Sequence, residues 1–235
     1  MIVSDFKMNV TLMLILIAFL LSSCAGGRPA EQKNAVSSAT AQSSRNEKLL
    51  TVASPFEDIT EYVLAGQKEK ITLSLKAYGE QAPQLDSVLS RRAKEELKSL
   101  VSGIEQAQRQ GHFEEIALKS VEAYRVLIES LDRGSLQAPV EVSLLDYAGF
   151  KTRALLHRKA VDWSSIQSTV NEAQQHWNAI EPRVMDKGLR DAVNTAMEGM
   201  KKASAARNTD MADFAAQVDL ALVDLLEGYF RRTAK

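Results

Sequence analysis

The thiol and imidazole chemistry open to this 235-residue chain rests on four side chains, Cys24, His112, His157 and His176. These groups ligate transition metals and attack carbonyls near neutral pH. No histidine stands in His-Glu-x-x-His, and none follows a Glu by three residues. A zinc-protease helix and the Glu-x-x-His pairs of di-iron bundles are therefore excluded. There is no Cys-x-x-Cys-His for covalent haem, no Gly-rich phosphate loop and no Gly-x-Ser-x-Gly. Glu172 and His176, four apart, read as a surface ion pair on one helix face rather than as metal ligands. Met197, Met200 and Met211 could serve a noncovalent haem, but their helical spacing reads as core filler. Trp163 and Trp177 likewise read as core rather than as a ligand groove. The expectation is a non-enzyme with no catalytic, metal-binding or cofactor-binding residue.

Cys24 is different, because its surroundings specify a reaction. Lys7 provides a positive start, an apolar stretch runs from Val10 to Leu21 with only Thr11 interrupting, and Leu21-Ser22-Ser23-Cys24 follows. Such a stretch is too short to span a bilayer and is normally removed. The sequence Leu-Ser-Ser-Cys resembles the lipobox of bacterial lipoproteins. That resemblance implies cleavage of residues 1–23, acylation of Cys24 and attachment to the membrane through an N-terminal lipid. Ala25, where an Asp would retain the protein at the inner membrane, implies the periplasmic face of the outer membrane. One acyl chain holds weakly, at ~0.8 kcal/mol per buried methylene, so the two or three chains of lipoproteins matter. Cys24 is the single cysteine, so stability must come from a core and not from internal disulfides.

Residues 24–53 read as the lipidated N-terminus and a flexible tether. Ser, Ala, Gln and Asn dominate up to Asn46, with little apolar side chain to offset the entropy of ordering. Residues 54–235 read as one helical domain. Ser54-Pro55-Phe56-Glu57 has a capping hydroxyl, Pro at the first helical position and Glu three residues on.

Seven helical segments follow from apolar spacing. The first spans 55–80, less regular after Gly66. The next two carry Leu97, Leu100, Val101 and Ile104, then Ile116, Val121, Tyr124, Leu127 and Ile128. A fourth covers 139–158, and a fifth lines Ile166, Val170, Ala173, Trp177 and Ile180 on one face. A sixth carries Val193, Met197 and Met200. The last points Met211, Phe214, Ala215, Val218, Ala221, Leu222, Leu225 and Tyr229 inward. The basic runs His157-Arg158-Lys159 and Arg231-Arg232 close two of these segments, where they offset the helix dipole. No stretch alternates with period two, so the fold class is all-α, an antiparallel bundle of about seven helices.

Internal matches suggest two duplicated three-helix units bridged by the segment at 139–158. Tyr78 and Pro83 match Trp177 and Pro182, Val88-Leu89-Ser90 matches Val184-Met185-Asp186, Gly103-Ile104 matches Gly199-Met200, and Leu127-Ile128-Glu129 matches Leu225-Leu226-Glu227. Charge is balanced, with 29 Lys plus Arg against 30 Asp plus Glu, which argues against nucleic acid. The expected role is a lipid-anchored interaction or scaffold module that meets another envelope protein. The alternative is a periplasmic carrier holding a small molecule, haem or metal in a cavity of the bundle.

Overall fold

The computed structural model describes residues 30–234, with side chains described from residue 41; the signal segment 1–23 and Cys24 lie outside the described residues. Eight α-helices follow one another: α1 Ala30–Leu64, α2 Lys68–Gln81, α3 Arg91–Gln110, α4 Phe113–Glu129, α5 Val140–Leu156, α6 Trp163–Ile180, α7 Lys187–Ala205 and α8 Thr209–Thr233. No strand occurs among the described residues, and the chain is an all-α bundle. No helix of the described residues is long and apolar enough to cross a membrane. Helix ends follow side-chain chemistry: Ser90, Asp162, Asp186 and Asn208 each accept a backbone N–H at the start of α3, α6, α7 and α8.

Among the described residues there are eight helices, one more than the expected seven, because the segment expected at 55–80 breaks at Gly66, whose φ of 70° suits a residue without Cβ. The expected start at Ser54 is also corrected. Pro55 lies inside α1, because Leu49, Val52 and Ala53 continue the buried stripe of Phe56 and Ile59 upstream. The tether reading over 24–53 therefore fails for its last residues. Arg45 donates to the carbonyls of Val88 (3.1 Å) and Ser130 (2.8 Å). Asn46 is buried, donates to the Asp132 carbonyl (2.8 Å) and accepts from the Asp132 amide (2.8 Å). Asn46→Ala should cost about 1–2 kcal/mol by stranding the Asp132 amide, while the Asp132 carbonyl still accepts from Ser135. A urea midpoint equal to wild type would show that this end of α1 is held only loosely.

The helices form two four-helix units, α1–α4 and α5–α8. In each, the first helix packs on the second and the fourth, and the third packs on the fourth; α4 on α5 joins the units. The segment at 139–158 forms α5, which packs on α4 of the first unit and on α6 and α8 of the second. One face of α5 (Val140, Leu144, Tyr147, Phe150) enters the first core, and another (Val142, Leu145, Ala148, Leu155) enters the second. The joint is polar at its edge. Arg125 reaches Glu96, Glu122 and Glu129 at 3.0, 2.8 and 2.7 Å, and Lys151 meets Glu122 at 3.1 Å. Burial alone would raise the Glu122 carboxyl, but Arg125 and Lys151 outweigh it and hold it below its ordinary range.

Backbone detail recurs with a step of 96 residues. The caps Ser90 and Asp186 each receive the amide three residues on, and the left-handed residues Gly111 and Arg207 end α3 and α7. The bond from the His112 amide to the Ala107 carbonyl returns as Asn208 to Ala203. Gly103 lies against Lys119 where Gly199 lies against Ala215. The step is larger at Pro83 and Pro182 because the 3-10 turn Ala82–Ser87 is longer than its counterpart Glu181–Arg183. One sequence match falls out of register. Leu127, fully buried, corresponds to buried Val223 and not to exposed Leu225.

The inward face of α8 differs from the expectation. Ala212, Ala215, Ala216, Asp219, Val223, Leu226 and Phe230 are buried, whereas Met211, Phe214 and Leu225 stand in solvent at 54, 62 and 57 % exposure. Close packing selects the small residues. A Cβ on Gly149 of α5 would lie 2.7 Å from Leu220 Cδ2, so α5 and α8 approach closely enough here to need a glycine.

Candidate functional site

The seam between the units opens into a cleft of about 560 Å³, within the size range of small-molecule sites. The first unit contributes Asn46, Glu47, Leu50 and Glu57 from α1 and Tyr124 from α4. The second contributes Ser143 and Asp146 from α5 and Val223, Asp224, Glu227 and Arg231 from α8, while Leu136 and Gln137 come from the connection. Helix spacing explains the lining. Glu57 follows Asn46 and Ala53 along α1 at steps of seven and four, and Asp224, Glu227 and Arg231 recur every three or four residues on α8.

At the floor, the carboxyls of Glu57 and Asp146 hydrogen-bond to each other, which requires one proton between them. Burial raises both, and Asp146 is held well above the ordinary carboxylate range, with the Glu57 charge adding to the effect. Glu227 pushes the same way. The Tyr124 hydroxyl donates to Asp146 Oδ2 at 3.2 Å and partly offsets this. Burial and the carboxylates around it raise the Tyr124 phenol itself well above its ordinary value. Glu227 at the rim pairs with Arg231 at 2.6 Å. The chemistry is that of a proton-holding acid pair: it can donate to a bound base, or release its proton in favour of a cationic group.

The residues singled out from sequence lie elsewhere. His112 and His157 are exposed at helix ends, and His157 Nδ1 is 3.1 Å from the Arg153 carbonyl. His176 is half-buried on α6, and burial lowers its imidazole below the ordinary value against the opposing pull of Glu141 and Glu172. The ion pair expected between Glu172 and His176 does not close; Ser168 donates to Glu172 instead at 3.2 Å. Met197 and Met200 are buried in the second core, whereas Met211 is exposed. Trp177 is fully buried, its indole N–H donating to Asn194 Oδ1 at 2.6 Å; Trp163 packs at the edge of the same core. Among the described residues, no group of three or more His, Cys, Asp or Glu is arranged to hold a metal ion.

A second surface feature lies on the outside of α8. Met211, Phe214, Val218, Ala221, Leu222 and Leu225 share one side of the helix, and Met185 extends it where its amide donates to the Tyr229 hydroxyl (2.8 Å). Neither feature was visible beforehand. Glu57 and Asp146 are far apart in sequence, and the stripe on α8 has the spacing of an ordinary core face. No family model, curated protein or solved structure matches the chain.

Proposed function

We propose that this chain is a lipid-anchored envelope protein, held through Cys24, that acts without catalysis as a protein-interaction module. The observation that carries this reading is the exposed apolar side of α8, where Met211, Phe214 and Leu225 are each more than half exposed. Contiguous apolar surface on a folded domain marks a place where another molecule docks. An N-terminal anchor would hold that surface beside the membrane, on the periplasmic side of the outer membrane by the lipobox resemblance. The test is a photo-crosslinking residue at position 214 or 225 of the full chain in bacterial membranes. Discrete protein adducts are expected there and not from position 98 on exposed α3. Their absence at both positions removes the interaction reading. For the anchor, Cys24→Ser should abolish incorporation of a labelled fatty acid, and equal labelling of mutant and wild type would end the lipoprotein reading.

The seam cleft favours a second reading, a carrier of a small polar molecule. Its floor offers a shared proton and its rim the Glu227–Arg231 pair. Native mass spectrometry of the full chain is the check, a bound mass lost in Asp146→Asn being the expected result.

A further inference from the structure

We propose that the apolar side of α8 is the contact of a symmetric homodimer, in which the two α8 helices pack antiparallel about Ala221. This rests on the reading of α8 as an interaction surface and names its partner as a second copy of the chain.

The first argument is the internal recurrence. On α4, Glu114, Leu118 and Glu122 face the second unit: Glu114 accepts from the Lys159 amide (3.1 Å), Leu118 packs against both cores, and Glu122 meets Lys151 and Tyr147 (both 3.1 Å). One 96-residue step later, these positions are Asp210, Phe214 and Val218 of α8. The side that the first unit covers with the next helix is the side that the second unit leaves open. Phe214 there is exposed, whereas its counterpart Leu118 is half-buried.

The second argument selects the occupant. A head-to-tail stack would place this side against α1 of the next copy, the counterpart of α5. The corresponding side of α1 is mostly polar, with Ser44, Glu47, Thr51 and Asp58, and carries exposed Leu50 at the counterpart of Asp146. A stripe of six apolar residues is matched better by a copy of itself, through a twofold axis that closes the assembly.

Charge and shape fix the direction. Asp210, Phe214, Gln217, Ala221, Leu225, Gly228 and Arg232 recur at steps of three and four along this side, the spacing of a packed helix pair. Its N-terminal end is acidic and its C-terminal end basic, so a parallel pair would set like charges together. An antiparallel register centred on Ala221 sets Asp210 against Arg232 of the second copy, and Phe214 against Gly228. The Arg232 guanidinium already lies beside the stripe, with Nη1 3.2 Å from where a Cβ on Gly228 would stand.

The test uses the full chain in detergent solution. Ala221→Cys should form a disulfide-linked dimer under mild oxidation, above the background of wild type with Cys24 alone, and Lys98→Cys on α3 should not. Mixing Asp210→Cys with Arg232→Cys should give the cross-linked heterodimer, and neither variant alone should. In sedimentation, Phe214→Glu should weaken dimerisation by roughly 30-fold or more, the scale of losing a central aromatic contact. Arg232→Asp should weaken it less, and adding Asp210→Arg should restore it; unchanged helicity shows that the surface variants fold. A chain that sediments as a monomer with no Ala221→Cys disulfide overturns the dimer. If position 214 still crosslinks to a different protein, the interaction reading stands alone; if it crosslinks to nothing, both fall.

Discussion

Replacing Asp219 with Asn is expected to stabilise the protein at pH 7 and above, by an amount that shrinks to nothing or reverses near pH 4. Asp219 is fully buried on α8, and neither carboxyl oxygen has a hydrogen-bond partner. Burial pushes its pKa from 3.8 up to about 8. Below the lower value both folded and unfolded chains carry the proton, and nothing is lost. Between the two, the unfolded chain ionises while the folded one cannot, so stability falls as pH rises, at about 1.4 kcal/mol per unit. By pH 7 the loss is on the order of 4 kcal/mol, and above pH 8 it stays constant. Asn keeps the shape without the charge, but its unpartnered amide costs about 1–3 kcal/mol at every pH. The net gain near neutrality should be about 2 kcal/mol. Urea midpoints of both proteins from pH 4.5 to 8 isolate this residue, because the Glu57–Asp146 pair titrates equally in each. A gap that does not widen with pH would mean that Asp219 is solvated or paired. The counterpart of Asp219 in the first unit is Ala123, also fully buried, so the fold does not require a carboxyl at this position.

Trp177→Ala should cost about 3–5 kcal/mol. The indole is among the largest fully buried side chains, in the second core with Ile166, Val170 and Met197. Truncation leaves a cavity that helices pinned by Asp162 and Asp186 caps cannot collapse to fill. It also frees Asn194, but that residue is exposed and still donates to Glu181 Oε1 at 3.0 Å, so packing dominates the loss. Trp177→Phe, which keeps most of the volume, should lose much less. His176→Ala next to it should change stability by under about 1 kcal/mol, since the ring is half-exposed. Denaturant unfolding of the three variants tests the set, and a wild-type midpoint for Trp177→Ala would mean that the indole is not filling the core.

The sequence alone determined the helical class, because apolar residues on α3, α4, α6 and α7 recur at 3.6-residue spacing over three turns or more, and no competing period is present. The caps at Ser90, Asp162, Asp186 and Asn208 are local in the same way, since each acts on its own next turn. Of the internal matches, Val88-Leu89-Ser90 with Val184-Met185-Asp186 and Gly103-Ile104 with Gly199-Met200 stand 96 residues apart. Tertiary structure decided what local pattern cannot encode. Polar composition suggested a tether up to residue 53, yet Asn46 and Leu49 are buried because a distant loop and the first core meet them. On α8 two apolar stripes run side by side, and periodicity favoured the one with the larger side chains. Which stripe turned inward depended on how closely α5 and α7 approach: Gly149 of α5 admits Leu220 and the Asp219 carboxyl, and Gly199 of α7 meets Ala215. The Glu57–Asp146 pair is the extreme case. Each residue reads as an ordinary helix-surface acid, and only the packing of α1 against α5 brings the two carboxyls together to share a proton.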